Sequence, residues 1–449
     1  MKKMVVSSIV CAILIGFTTA LFAGAPLEVV NHGAEYCKTL NRAASTDVDA
    51  TYNNPAGTAL MEDGLYLYLS NQFVYQPVDI KVRGGDVNVY AGLSRGEYKG
   101  EKYAWMLPDF FLAYKKDQFA FSFGLFGIGG GGEAKYNSGL QMIDVLLNPN
   151  PDIGLGSYIN GLYNLIGVPG TPIGGPIISK FSGSSNVYCG QVNLAYAVIK
   201  DKLSFSLGGR FMMGSQIFDA KLYSIGGTYA GILPLGSDFH SNQFGVAGGV
   251  IGSICVKPVN ELTLAVRGEW NSPLRLNAKS HDDFIVGLVN SGYRNQGKTH
   301  IQMPGLLSVG FAYRVEGLQI SPAFIYYFNQ FAQLKQKEKG YTGGYDVGLG
   351  LDYTFKQVPL NIGIGYVWSF EGARPSIQDQ LNEELDMHNW SIGFSWTFNK
   401  IVTLTIAEVF SLYVPENVNR GATTALKFLP VKFYKHSFDT AIGITYKAI

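Results

Sequence analysis

Charge is the scarcest property of this sequence. Asp, Glu, Lys and Arg make up 15% of its 449 residues, against about 25% in an ordinary soluble domain. The two signs nearly cancel, 35 basic against 34 acidic, for a formal charge of +1. That balance lacks the electrostatic footprint of a nucleic-acid binder. Low charge also excludes disorder, which combines low hydrophobicity with high net charge. Long apolar runs are equally scarce. Beyond the N-terminal run none reaches the length of a transmembrane helix. Of the four cysteines, Cys11 lies in that run, and Cys37, Cys189 and Cys255 are widely spaced. They make neither a disulfide framework nor a clustered metal site, leaving at most one disulfide. H-E-x-x-H does not occur, and no catalytic role, metal or cofactor is expected.

Glycine and aromatics are abundant, with 55 Gly, 28 Phe and 27 Tyr. Two classes fit: a large secreted β protein, or a β-barrel in lipid. Lys2 and Lys3 precede an uncharged apolar run from Met4 to about Ala25, the pattern of a secretory signal peptide. Cleavage after Ala23 is the preferred reading, with an uncleaved anchor as the alternative.

Period-2 alternation dominates after residue 64. Trp390, Ile392, Phe394, Trp396 and Phe398 alternate with Ser391, Gly393, Ser395, Thr397 and Asn399. Fourteen candidate strands follow, near 64–82, 105–116, 118–130, 186–200, 202–222, 240–257, 260–280, 302–315, 317–333, 341–356, 358–371, 387–398, 401–413 and 435–448. Their links alternate strictly. Six are tight, such as Lys116-Asp117, Lys200-Asp201 and Asn399-Lys400, and the seven between them are longer, the longest spanning 131–185. Short turns at one end and long loops at the other are the outer-membrane barrel pattern; a sandwich has no reason to sort its loops in this way. Trp105, Trp270, Trp368 and Trp390 fall toward the long-loop ends, where an aromatic girdle belongs. The expectation is an all-β, 14-stranded antiparallel transmembrane barrel in the bacterial outer membrane. Its parts are a signal peptide over 1–23, a small plug over 24–63 inside the lumen, and the barrel over 64–449. The plug is inferred because 24–63 does not alternate and precedes the first strand.

The run from Ala43 to Gly57, ending Tyr52-Asn53-Asn54-Pro55-Ala56-Gly57, resembles the N-terminal signature of the FadL/TodX family, transporters of long-chain fatty acids and aromatic hydrocarbons. Asn54, Pro55, Ala56 and Gly57 match its Asn-Pro-Ala-Gly motif. Phe121 to Gly129 resembles its glycine-rich third strand, and Met303 to Tyr313 its Leu-Pro-containing strand. The resemblance implies a hatch-closed barrel, a kink in the third strand that opens a gap in the wall, and sideways release of an apolar substrate. Its partners would be hydrophobic small molecules (fatty acids or aromatic hydrocarbons) and outer-membrane lipid, with the protein a monomer. Long-chain fatty acids are the expected cargo. An adhesin or surface antigen, and a general porin for small polar solutes, are the alternatives.

Individual residues carry narrower expectations. Pro55 fixes φ and lacks an N–H, and Asn54 can bond its own backbone, which suits either a gating latch or an ordinary turn. Gly124, Gly127 and Gly129 interrupt a strand, as a gate or as an early loop. Arg210, Arg267 and Glu269 share the lumen-facing parity; the arginines would bind a carboxylate or brace the barrel. Phe126, with Ile159, Leu162, Tyr163 and Ile166 in the apolar loop over 131–185, is a further candidate for substrate contact. Gly292 to Thr299 spells a P-loop, but no helix pattern follows, and the stretch reads as an external loop.

Overall fold

The structure, a computed structural model, describes residues 33–82, 96–137, 139–140, 177–224, 237–282, 294–333, 338–378, 383–418 and 431–448. The signal peptide and the loop residues Ile159, Leu162, Tyr163 and Ile166 lie outside them.

Alternating residues drive the chain into one closed antiparallel sheet. Its strands are β1 (Gly64–Val82), β2 (Glu97–Lys116), β3 (Phe119–Tyr136), β4 (Ile177–Ile199), β5 (Leu203–Ser224) and β6 (Ser237–Val259). β7 runs in two pieces, Leu262–Asn271 and Leu274–Asp282, as does β8, Arg294–Ile301 and Leu306–Val315. β9 (Leu318–Tyr327), β10 (Gly344–Thr354), β11 (Leu360–Phe370) and β12 (Met387–Phe398) follow. β13 (Val402–Tyr413, with a short extension Asn417–Val418) and β14 (Val431–Ala448) complete the sheet. Each strand pairs with its sequence neighbours, and β1 pairs with β14 from Leu65↔Ala448 to Val82↔Val431, closing a fourteen-stranded barrel. Closure removes the open edge that lipid would not tolerate.

The tight turns use left-handed backbone. Asp117, Asp201, Glu316, Asn399 and Lys400 have φ between 48° and 60°, and their short polar or charged side chains sit at the solvated rim. The faces sort as the alternation predicts. In β12, Trp390, Ile392, Phe394, Trp396 and Phe398 are exposed outward, while Asn389, Ser391, Gly393 and Ser395 are buried inward.

Two departures from the sequence reading concern the external ends. β4 begins at Ile177 and β3 runs on to Tyr136, so both extend beyond the apolar alternation. Past the lipid band the outward face turns polar, as with Lys180, Ser182 and Ser184, and the contrast that marks a strand vanishes. The second departure is a correction. Arg294–Ile301 is not an external loop but strand, paired with the outer piece of β7. Pro273 and Pro304 lack the N–H that would continue each ladder, and both long strands break there.

Residues 34–61 lie inside this barrel. They form helix α1 (Ala34–Thr39), helix α2 (Ala50–Asn53) and a 3₁₀ turn over Pro55–Leu60. Elements this short have little stability of their own; side chains of the wall hold them.

Candidate functional site

Asn54-Pro55-Ala56-Gly57 is pinned by its backbone. Pro55 takes the first position of the 3₁₀ turn, where its missing N–H would have no partner anyway. The Ala56 N–H donates to Ser253 Oγ of β6 at 2.7 Å, and its carbonyl accepts from Ser204 Oγ of β5 at 2.7 Å. Ala56 is fully buried. Asn54 Nδ2 donates to the Ser45 carbonyl at 2.9 Å and reaches Cys255 Sγ at 3.3 Å. A Cβ on Gly57 would sit 2.2 Å from the Ser45 oxygen, so glycine is required by close approach. Cys37, Cys189 and Cys255 are all buried thiols without disulfides.

Upstream, Arg42 holds Asp49 with two bonds of 2.7 and 2.8 Å and also donates to Ser45 and Asp47. This bidentate pairing closes the loop between α1 and α2 on itself. Lys38 bridges Glu35 at 2.9 Å and Ser395 of β12 at 2.7 Å. On the opposite wall, Gln191 and Asn193 of β4 both donate to the Thr51 carbonyl, and Arg267 donates to the Tyr52 carbonyl at 2.5 Å.

Three of the residues singled out in the sequence meet around Tyr52. Arg267 lies 4.8 Å and Arg210 5.7 Å from its ring centre, and Phe126 contacts it edge-on at 5.0 Å. Arg210 is already engaged, by Glu269 at 2.9 Å and by Gln191 Oε1. Phe126 packs against Phe111 as well as Tyr52.

The wall itself opens beside this cluster. β2 and β3 pair up to Asp109↔Phe126 and resume only at Tyr103↔Glu133. Across Ala104–Pro108 and Gly127–Gly132 the register between the two strands is therefore interrupted. On its other side β3 stays attached to β4 through two irregularities, between Gly127 and Gly129 and between Gly129 and Gly132. Gly130 and Gly132 have φ of +95° and +72°, conformations that a side chain would strain. β2 is irregular too, and Trp105 and Met106 both point outward, 71% and 68% exposed. Pro108 stands at the edge of the opening with no N–H to donate. The glycines of β3 were legible in the sequence. Pro108 on the facing strand was missed, although a proline inside an alternating run is itself a signal.

A cavity of about 1310 Å³, open solvent at its mouth included, occupies the lumen above the N-terminal segment. Tyr36, Leu40, Tyr52 and Asn53 form its floor. Ala104 and Leu107 of β2 and Gly130 of β3 line it at the opening, and Ile325, Tyr327 and Asp346 line the far wall. Arg267 borders this cavity, whereas Arg210 and Phe126 lie behind it. Tyr327 and Asp346, bonded to each other at 2.7 Å, were not singled out in the sequence. Their inward parity in β9 and β10 is the signal that locates them. At the external mouth, Glu383 takes Lys102 of β2 and Tyr136 of β3 as partners, and Glu384 accepts from Tyr341 at 2.5 Å. Residues 383–384 thus bridge opposite sides of the mouth.

No family model and no curated protein matches the chain. Solved structures do. A FadL homologue from Pseudomonas aeruginosa aligns over 94% of this chain and 99% of that one, with 15% identity and a TM-score of 0.67. The toluene transporter TodX of P. putida aligns over 89% and 94%, with 14% identity and a TM-score of 0.57. The toluene transporter TbuX of Ralstonia pickettii aligns over 90% and 94%, with 15% identity and a TM-score of 0.50. The chain has the FadL/TodX-type fold.

Proposed function

We propose that the protein mediates passive, ligand-gated uptake of hydrophobic small molecules across a bacterial outer membrane, with sideways release through the opening between β2 and β3. One observation carries this reading: the lumen cavity reaches the unpaired stretch of wall, since Ala104, Leu107 and Gly130 border both. The exposed outer face is apolar and aromatic, as lipid contact requires. Residues 24–63 act as the plug, and Asn54 to Gly57 anchor it. Long-chain fatty acids and aromatic hydrocarbons are both candidate cargo.

The test is growth and uptake. A strain lacking the protein should accumulate radiolabelled laurate or toluene more slowly, and the purified protein should release bound lipid or hydrocarbon on gentle extraction. Unchanged uptake of every apolar compound, with nothing extracted, would remove the proposal. A steady, large conductance in planar bilayers would favour the porin reading instead.

A further inference from the structure

The lumen cavity has an unusual charge balance for a fatty-acid site. Its lining includes three acidic residues, Asp346, Glu371 and Asp439, and among the described residues only one cation, Arg267. Arg267 donates to the Tyr52 carbonyl, holds its guanidinium 4.8 Å from the Tyr52 ring centre and acts on the Glu269 carboxylate, while its buried Nε has no hydrogen-bond partner among the described residues. The other buried lumen cations are matched elsewhere. Arg210 pairs with Glu269, Lys38 with Glu35, Arg42 with Asp49, and Lys102 with Glu383. Lys435 sits 4.1 Å from the Tyr413 ring centre and does not line the cavity. A carboxylate brought into this space would leave water and meet Asp346, while the charge of Arg267 is already shared with Glu269, an expensive transfer.

Asp346 is placed differently from the paired acids. It faces the cavity from β10, accepts from the Tyr327 hydroxyl at 2.7 Å, and forms no ion pair among the described residues. Ser369, opposite it in β11, also bonds its carboxyl, and the apolar Leu40, Ile325, Leu306 and Val367 share the lining. An acceptor placed beside apolar side chains orients a ligand by one hydrogen bond while the rest is bound by burial.

We propose, resting on the uptake reading above, that the cavity selects hydrophobic molecules bearing an O–H or N–H donor and no negative charge, with the Asp346 carboxyl as their polar anchor. A phenol or an aromatic alcohol has this chemistry; a fatty-acid anion does not. The anchor lies beside Tyr36 of α1, so a ligand held there also touches the N-terminal segment.

Equilibrium dialysis of the full purified protein against p-cresol, toluene and laurate tests this. Cresol and toluene differ by one hydroxyl, and a hydrogen bond to a carboxyl should make cresol bind about tenfold tighter. Asp346→Leu should bring cresol down to the toluene level. Asp346→Asn, nearly isosteric, should leave the barrel intact and improve laurate binding severalfold. If laurate binds wild type more tightly than cresol, or if Asp346→Leu leaves the cresol-to-toluene ratio unchanged, the inference is overturned while uptake stands. If none of the three binds, the uptake reading itself fails and the inference with it.

Discussion

Glycine serves opposite purposes on the two sides of this barrel. On the β10–β11 wall it lets another piece of chain come close. A Cβ on Gly365 would lie 2.1 Å from the Thr39 carbonyl oxygen, and one on Gly350 2.8 Å from the same atom. The ladder between these strands is unbroken, from Tyr345↔Phe370 to Thr354↔Asn361. On the β2–β3 wall glycine accompanies loss of the ladder. There Gly127 has open space before it, its nearest neighbour being Leu107 Cδ2 at 4.0 Å. Composition cannot separate these uses. A glycine without a side chain admits a neighbour where the wall is regular, and weakens the wall where its partner strand carries Pro108 and a bulge.

The same substitution on each wall should therefore give opposite results. Gly365→Val has the larger expected effect. Overpacking of this kind costs about 1–3 kcal/mol, which raises the fraction of barrels with a displaced N-terminal segment roughly 5–150-fold. Single-channel conductance in planar bilayers should rise accordingly, while heat-modifiable gel mobility shows the barrel still folded. A closed, unchanged channel would mean that the segment does not block the lumen.

Gly127→Val should do the reverse. The side chain enters the space before Leu107 and narrows the opening where it meets the cavity, away from the Asp346 wall. Uptake of toluene by cells should fall to the level of a strain lacking the protein, with binding to purified protein preserved. Undiminished uptake would show that cargo leaves by another route.

These contrasts also mark what could be read beforehand. The strand number and the inward parity of Arg210, Arg267 and Glu269 were legible, because a lipid-facing strand must alternate and its turns must be polar. The opening was legible on one side only. Gly127 and Gly129 stand out in β3, but a ladder breaks between two strands, and Pro108 in β2 marks the other side only once the two strands are set face to face. The roles of Ser204 and Ser253 were hidden for a related reason. Inward-facing serines are common in a polar lumen, and only the fold shows that these two hold the two ends of the Ala56 peptide. The pairing of Arg210 in β5 with Glu269 in β7 reaches across β6 and needed three strands placed in register.

The smallest expected effect concerns the external mouth, where the regular wall ends. Glu416, beyond the end of β13, has its carboxyl pushed up to about 7, first by burial and then by the nearby Asp386 carboxylate, with a Gln378 hydrogen bond opposing. Asp386 is raised as well, by burial. An acid whose folded value lies above its ordinary 4.5 favours the protonated form, so the contact is strongest below about pH 4.5 and weakens as pH rises through 7. The Val414 amide, which donates to the Asp386 carbonyl at 2.7 Å, reports this directly. After correction for intrinsic rates, its hydrogen exchange should be severalfold less protected at pH 8 than at pH 5.5. Glu416→Gln, neutral at every pH, should flatten much of that difference and leave exchange on the β10–β11 wall unchanged. If the β10–β11 amides shifted with Val414, the mouth and the packed wall would open as one unit, and the contrast between regions would not extend to the rim.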